Sequence, residues 1–103
     1  MNDFMRAALY GANHEIIPSI KKDKFLHKKF EFVGPICEST DKFFTTKKFQ
    51  LIKENDLVII CDVGAYGMSL ASNYNVRPLP AEILVKKSSA QIIKNRQKLS
   101  DLI

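Results

Sequence analysis

Three short stretches of the chain carry side chains that could do chemistry, and the first surrounds Tyr66. This tyrosine lies between Gly64 and Gly67, directly after the apolar run of residues 57–61. Because glycine lets the backbone come close to another group, a tyrosine held at a strand end can present its hydroxyl to a ligand. The alternative is a glycine-rich turn whose tyrosine packs in the core.

Arg6 and Tyr10 form the second stretch. They are four residues apart in a segment that Asn2 or Asp3 could cap and Gly11 could end as a short helix. Residues at this spacing project from one helix face, where an arginine and a tyrosine could together hold a carboxylate. The alternative is an exposed arginine stacked on a neighbouring ring.

Cys37 and Glu38 form the third stretch, in a turn that follows Gly34-Pro35. A glutamate is costly to bury without a partner, so the pair suggests a site at a strand end where a thiol and a carboxylate point into one cavity. A cysteine considered alone is more often a small buried hydrophobe.

Composition limits the classes of protein that the chain can represent. Its 103 residues, 46% hydrophobic and 26% charged, suit one globular domain or part of one. No apolar run is long enough to span a membrane, and no secretory signal opens the sequence. The spacing of the two cysteines matches no metal-binding motif. Neither His14 nor His27 has an acidic residue or a cysteine at the spacing of metal ligands. We therefore expect a cytoplasmic protein with reduced thiols and no membrane or metal partner.

The net charge of +5 comes mostly from lysine pairs scattered along the chain. Nucleic-acid surfaces usually combine clustered basic residues with a reading element. The sequence has neither a helix-turn-helix nor an aromatic platform, so we expect no nucleic-acid partner and interpret the lysines as solvated.

Short apolar or alternating segments predict a mainly β domain. The predicted strands are residues 14–20, 29–33, 57–61, 81–86 and 90–94, with a loop or weak strand around residues 43–49. The strand 57–61 is expected to be buried. Short helices are expected at both ends, over residues 1–12 and after Asn95, and a turn or two of helix over residues 68–74.

Read together, these segments resemble the C-terminal part of the diaminopimelate decarboxylase family. The resemblance is carried by residues 34–41 (GPICESTD), 62–67 (DVGAYG), 72–75 (SNYN) and 77–82 (RPLPAE), preceded in the same order by residues 1–12 (MNDFMRAALYGA). The sequence departs from the family pattern at Ala7, Asn13 and Asn55, and more extensively over residues 42–48.

The resemblance implies a fold and a cofactor. It predicts that residues 1–103 are a single Greek-key-like β-barrel or sandwich domain of a fold-type III pyridoxal-phosphate decarboxylase, with residues 1–12 continuing from an α/β barrel. We expect that barrel, roughly 250 residues in a typical case, to be absent from this chain together with its Schiff-base lysine. The chain alone should then be inactive.

The resemblance also implies roles for five side chains in converting meso-diaminopimelate to L-lysine. Tyr66 would lie near the substrate and the phosphate of pyridoxal 5'-phosphate, while Arg6 and Tyr10 would hold the far carboxylate of the substrate. Glu38 would hold the far ammonium, and Cys37 would be the proton donor. Since Cys37 and Glu38 of the family reach into the partner subunit's site, a homodimer is implied.

Two other functions stay open from the sequence. The chain could be a non-catalytic interaction fragment whose apolar faces bind another protein, or a basic nucleic-acid binder. Recovery of decarboxylation on mixing with a barrel-bearing chain would select the decarboxylase hypothesis over both. A steep salt dependence of binding to RNA or DNA would be needed for the nucleic-acid binder.

Overall fold

Short antiparallel strands make up most of the regular structure in the computed structural model, which describes residues 1–7 and 11–103. The strands are β1 (Ile16–Pro18), β2 (Phe25–Leu26), β3 (Phe30–Val33), β4 (Lys42–Thr46), β5 (Phe49–Gln50), β6 (Val58–Ile60), β7 (Glu82–Lys86) and β8 (Ser89–Lys94). After β6 the described residues also contain a short helix, α1 (Gly67–Leu70), and 3-10 turns at Tyr74–Val76 and Leu99–Leu102. The prediction of a mainly β domain is confirmed.

Three strand pairs are nested inside one another. β3 pairs with β4, β2 with β5 and β1 with β6, all antiparallel. The chain from 16 to 60 therefore forms one long, interrupted two-stranded ribbon, called here the nested ribbon. Its turning point, residues 34–41, is called the tip loop, and it contains Cys37 and Glu38.

The core lies between the start of the chain and the nested ribbon. Its buried members are Met5, Ala7, Ile16, Phe43 and Phe49. Phe49 anchors the ribbon side, since its ring centroid lies 4.8 Å from that of Phe32 and 5.9 Å from that of Phe30. Tilted ring pairs at such distances stabilise beyond the area that they bury.

The hairpin of β7 and β8 is exposed on both faces. Ile83 lies opposite Ile92 and Val85 opposite Ala90. Because side chains alternate across a strand, Leu84 projects from the other face. The large hydrophobic side chains of the hairpin are 49–70% exposed; they are Ile83, Leu84, Val85, Ile92 and Ile93. This surface is called the hairpin surface below.

Several local predictions hold and others are wrong. Asn55 has the expected left-handed backbone, with φ 70°, and Pro18 ends β1 as expected for a residue without an amide hydrogen. The run at 57–61 does form β6, but it is not buried: β1 is the one strand that pairs with it among the described residues, and Val58 is 38% and Ile59 47% exposed.

The predicted helix ends also need correction. Residues 2–4 form a turn instead of a capped helix. At the other end, Lys98 instead of Asn95 precedes the last turn, where its amide donates to Asp101 Oδ2 at 2.7 Å. The strand pairs described do not close into a barrel. None of the helices in residues 1–7 and 11–103 has the length and apolarity needed to cross a bilayer.

Candidate functional site

The first five residues form a tight turn that contacts several of the predicted site segments. The amides of Phe4 and Met5 both donate to the Met1 carbonyl, each at 2.9 Å. Met5 is fully buried in the core, which fixes the turn against the nested ribbon. This segment, residues 1–5, is called the N-terminal turn.

The tip loop is held in shape by Asp41. The Gly34 amide donates to the Asp41 carbonyl and the Ile36 amide to Asp41 Oδ2, both at 2.9 Å. The Met1 nitrogen also contacts this carboxylate. Asp41 is buried, and a buried carboxylate of this kind is stable only when such donors surround it. The tip loop is therefore a fixed turn.

Asn2 links the N-terminal turn to the tip loop. Its side-chain Nδ2 donates to Glu38 Oε2 at 2.6 Å and to Thr40 Oγ1 at 3.1 Å. Asn2 is only 5% exposed. The sequence predicts Asn2 as a candidate helix cap, and this is wrong because its amide bonds instead to side chains 36 and 38 positions away.

Asp3 links the same turn to the segment that follows α1. Arg77 Nε donates to Asp3 Oδ2 at 2.8 Å, and the Ser72 amide donates to the Asp3 carbonyl at 2.6 Å. A cavity of about 350 Å³ lies here, and its lining residues are Met1, Asp3, Phe4, Arg77, Pro78, Pro80, Ala81 and Arg96. None of Arg6, Cys37, Glu38 and Tyr66 lines it.

Residues 62–67, called here the tyrosine turn, reach the same region through Gly67. A Cβ atom at Gly67 would lie 3.2 Å from Cζ of the Phe4 ring, so glycine permits this close approach. The preceding residue, Tyr66, is 66% exposed. The close packing therefore falls on the glycine, while the phenol is at the surface.

The structure places the predicted site residues as follows. Arg6, Cys37 and Tyr66 are exposed, and Glu38 is half-buried. Tyr10 lies outside the described residues. The N-terminal turn brings the tip loop, the tyrosine turn and the Ser72–Arg77 segment around one short stretch of chain. The catalytic and binding roles of these side chains stay predictions.

Sequence reasoning missed two residues of this arrangement, Asn2 and Asp3 as long-range tethers. Their signal was ambiguous, because an Asn-Asp pair before an apolar stretch is equally typical of a helix start. No group of His, Cys, Asp and Glu in the described part of the chain is arranged to hold a metal ion.

A known protein family accounts for more than half of the chain. Residues 1–64 match the family model described as "Pyridoxal-dependent decarboxylase, C-terminal sheet domain". The chain therefore belongs to the family of pyridoxal-dependent decarboxylases that carry this domain.

Named relatives narrow the comparison to one kind of decarboxylase. The chain is 40% identical to the diaminopimelate decarboxylase of Buchnera aphidicola (subsp. Schizaphis graminum), covering 99% of this chain and 27% of that protein. It is 39% identical to the Methanocaldococcus jannaschii enzyme, covering 100% and 23%.

Solved structures agree with the sequence relatives. The M. jannaschii diaminopimelate decarboxylase in complex with L-lysine matches with a TM-score of 0.86 and 38% identity, covering 99% of this chain and 23% of that one. The Helicobacter pylori enzyme complexed with L-lysine matches with a TM-score of 0.84 and 37% identity, covering 99% and 25%. The chain spans about a quarter of the length of the relatives that it matches.

One described side chain, the Tyr66 phenol, has chemistry that suits the phosphate of pyridoxal phosphate. A phenol hydroxyl donates well to a phosphate oxygen, and Tyr66 is exposed at the surface beside Gly67. One phenol is not a complete phosphate site, so other donors would have to come from another polypeptide segment.

Proposed function

We propose that these 103 residues serve as the C-terminal portion of a diaminopimelate decarboxylase, which converts meso-diaminopimelate to L-lysine and CO₂. The observation that carries the proposal is the N-terminal turn. Its contacts with the tip loop through Asn2 and with the tyrosine turn through Phe4 gather motif segments that are distant in sequence. The family match and the named relatives point to the same activity.

The substrate explains the chemical variety of the proposed site. Meso-diaminopimelate has a second amino-acid group at its far end, so recognition needs both a cation and an anion. We assign Arg6 and Tyr10 to the far carboxylate, and Glu38 to the far ammonium. The half-buried position of Glu38 supports this role, since a carboxylate held there loses less to solvent screening.

Cys37 is assigned to proton delivery. When the bond from the D-centre carbon to its carboxylate breaks, CO₂ leaves and the electron pair needs an acceptor; bound pyridoxal phosphate supplies that acceptor. The Cys37 thiol then donates its proton to the carbon, and the thiolate is reprotonated from solvent. Cys37 is a free thiol and exposed on the fixed tip loop, as a side chain aimed at a neighbouring site must be.

The 103 residues are proposed to be catalytically incomplete alone. None of their lysines lies in a sequence context that resembles the Schiff-base site. The proposed partners are a polypeptide carrying the α/β barrel and a second copy of the enzyme, whose site Cys37 and Glu38 would enter. The apolar hairpin surface supports a large protein partner, because monomers rarely leave such surfaces open. We propose that this partner also completes the Greek-key-like barrel or sandwich.

A hybrid enzyme tests the proposal. The matching C-terminal quarter of the M. jannaschii enzyme is replaced by these residues, and CO₂ and L-lysine formed from meso-diaminopimelate are measured with pyridoxal phosphate present. We expect activity from the hybrid and none from the 103 residues alone. An inactive hybrid that is folded and binds the cofactor would contradict the proposal, as would a lysine of the isolated chain that borohydride fixes to the cofactor.

Two cysteines allow a matched control in the hybrid. Cys37→Ala should lower kcat by about 10²-fold or more, the usual contribution of a positioned proton donor, with little change in KM. Cys61→Ala makes the same change at the other free thiol, which is half-buried in the chain after β6, and should leave kcat within about twofold.

The second candidate is a non-catalytic fragment that binds another protein. The hairpin surface favours it as well, since it requires a partner but no chemistry. The two functions separate in one experiment: an interaction fragment would bind the barrel-bearing polypeptide, or another protein, without restoring decarboxylation.

A further inference from the structure

The contact between Asn2 and Glu38 has the properties of a charge-assisted hydrogen bond. The Nδ2 to Oε2 distance of 2.6 Å is short for an amide donor, as expected when the acceptor is ionised. Asn2 is 5% exposed, so little water reaches the donor side of this bond. The bond therefore constrains the Glu38 side chain more firmly than a surface contact would.

The amide orientation of Asn2 is determined by its surroundings. An asparagine NH₂ group has two donors, and here one acceptor is Glu38 Oε2 and the other Thr40 Oγ1. A flipped amide would place the Asn2 carbonyl oxygen against a carboxylate, which is repulsive. Both donors thus act on the tip loop, one on each side of Ser39.

Hydrogen bonds hold the backbone on both sides of Glu38, so the rotamers of its side chain are the freedom that remains at this residue. The Glu38 amide donates to the Ile36 carbonyl at 2.8 Å, and the Asp41 amide donates to the Glu38 carbonyl at 3.1 Å. A free glutamate side chain loses rotamer entropy when it is fixed. Asn2 fixes it before any ligand arrives, which lowers the cost of binding.

We infer that Asn2 is a positioning residue for Glu38, holding its carboxylate ready for the far ammonium of the substrate. The inference rests on the proposed function and adds to it a residue that touches neither substrate nor cofactor. It predicts a specific loss. When Asn2 is replaced, ligands that carry the far ammonium bind less well, whereas the affinity of ligands that lack the far ammonium is unchanged.

The test uses the hybrid enzyme loaded with pyridoxal phosphate. Asn2→Ala should raise KM for meso-diaminopimelate, and the Kd of L-lysine by calorimetry, about tenfold, the order expected when the Glu38 side chain must be ordered on binding. The kcat should change less than about threefold. Asn95→Ala, the same change at an exposed site, should leave both constants unchanged.

Two further measurements separate positioning from a general structural role. D-2-aminopimelate keeps the far carboxylate and lacks the far ammonium, so its KM should not respond to Asn2→Ala. In a double-mutant cycle, Asn2→Ala should add little to the KM effect of Glu38→Gln. An equal loss with D-2-aminopimelate, or fully additive effects, would overturn the inference.

The contact itself can be tested without any activity. In NMR spectra of the 103-residue chain, Glu38→Gln should shift the Asn2 side-chain amide resonances and leave those of Asn95 in place. Unmoved Asn2 resonances would overturn the inference. An inactive hybrid with shifted resonances would instead contradict the proposed function and leave the Asn2–Glu38 pairing supported, so the two failures are distinguishable.

Discussion

The nested ribbon and the β7–β8 hairpin use the same kind of structure with opposite results. Both are antiparallel two-stranded arrangements rich in apolar residues, mainly phenylalanine and isoleucine in the ribbon and aliphatic residues in the hairpin. In the ribbon, Ile16 and Phe49 are buried against Met5 of the N-terminal turn. In the hairpin, Ile83 and Ile92 face each other across the strands and stay about half exposed.

The difference shows that burial here is determined by the chain segment that packs across the strands, and not by the strand pairing itself. An isolated two-stranded hairpin is marginal in water, and the ribbon gains its stability from a turn of chain laid across it. The hairpin has an equally apolar sequence and no such cover in the described residues. This open apolar surface supports the proposed protein partner, because monomers rarely leave such surfaces exposed.

The largest expected effect comes from making one substitution in both regions. Ile16→Ala should destabilise the chain by about 2–5 kcal/mol, because it removes a buried side chain from the core. Ile92→Ala, at 58% exposure, should cost well under half as much. Urea unfolding of both variants measures the difference. Equal costs would show that the hairpin is as well packed as the ribbon.

A second comparison uses two glycines. A Cβ at Gly34 would overlap the Asp41 carboxylate, whereas a Cβ at Gly64 meets nothing within 4 Å. Gly34→Ala should cost about 1–3 kcal/mol by overpacking the tip loop. Gly64→Ala should be nearly neutral in the same unfolding experiment, and a neutral Gly34→Ala would mean that the tip loop is not fixed.

The hairpin surface should matter for association more than for stability. Ile92→Lys should change the free energy of unfolding by less than about 0.5 kcal/mol and weaken binding to a barrel-bearing polypeptide about tenfold or more. Ile20→Lys makes the same change at a residue of the ribbon that is 70% exposed. Equal weakening by both variants, measured by calorimetry, would remove the distinction between the two regions.

The smallest effect is a pH dependence confined to the ribbon. The Lys29 ammonium donates to Glu31 and, with Lys42, lowers the pKa of that carboxyl; the Lys53 amide does most to lower the pKa of Asp56. A lowered pKa stabilises the folded chain above the ordinary value and loses that contribution as pH falls below about 4.

Replacing both groups should weaken this pH dependence. The Glu31→Gln/Asp56→Asn variant should lose less of its unfolding temperature between neutral and acid pH than the unaltered chain. Both groups are exposed, so solvent screening keeps the change small. Asp23→Asn, an exposed acidic residue of the ribbon, is the matched control. A larger acid sensitivity in the double variant would give the opposite sign and contradict the prediction.

Local signals in the sequence predicted most strands. The features that they did not predict, the burial of β6 and the nesting of the strand pairs, depend on long-range pairing. The alternating residues 29–33 and the β-branched run before Tyr66 became β3 and β6. The burial of β6 was wrongly predicted, because periodicity reports a strand but not what covers it. The nesting of three pairs depends on contacts between distant residues, which no local pattern specifies.

The site was predictable to a similar extent. The motif residues predicted that the tip loop and the tyrosine turn belong to a site, and that role stays a prediction; the family that these motifs resemble is confirmed by the match over residues 1–64. Asn2 could not be assigned, because a side-chain amide that caps a helix and one that tethers a distant loop are the same group in the sequence. Only the folded position of Glu38 distinguishes the two roles.

The nesting of the strand pairs also sets an order of assembly. Pairing β3 with β4 closes only the short tip loop, and each pair formed shortens the span that the next pair must close, which lowers its entropic cost. β1 and β6 are then expected to pair last during folding and to separate first during local unfolding. Hydrogen exchange should accordingly find the backbone amides of β1 and β6 less protected than those of β3 and β4.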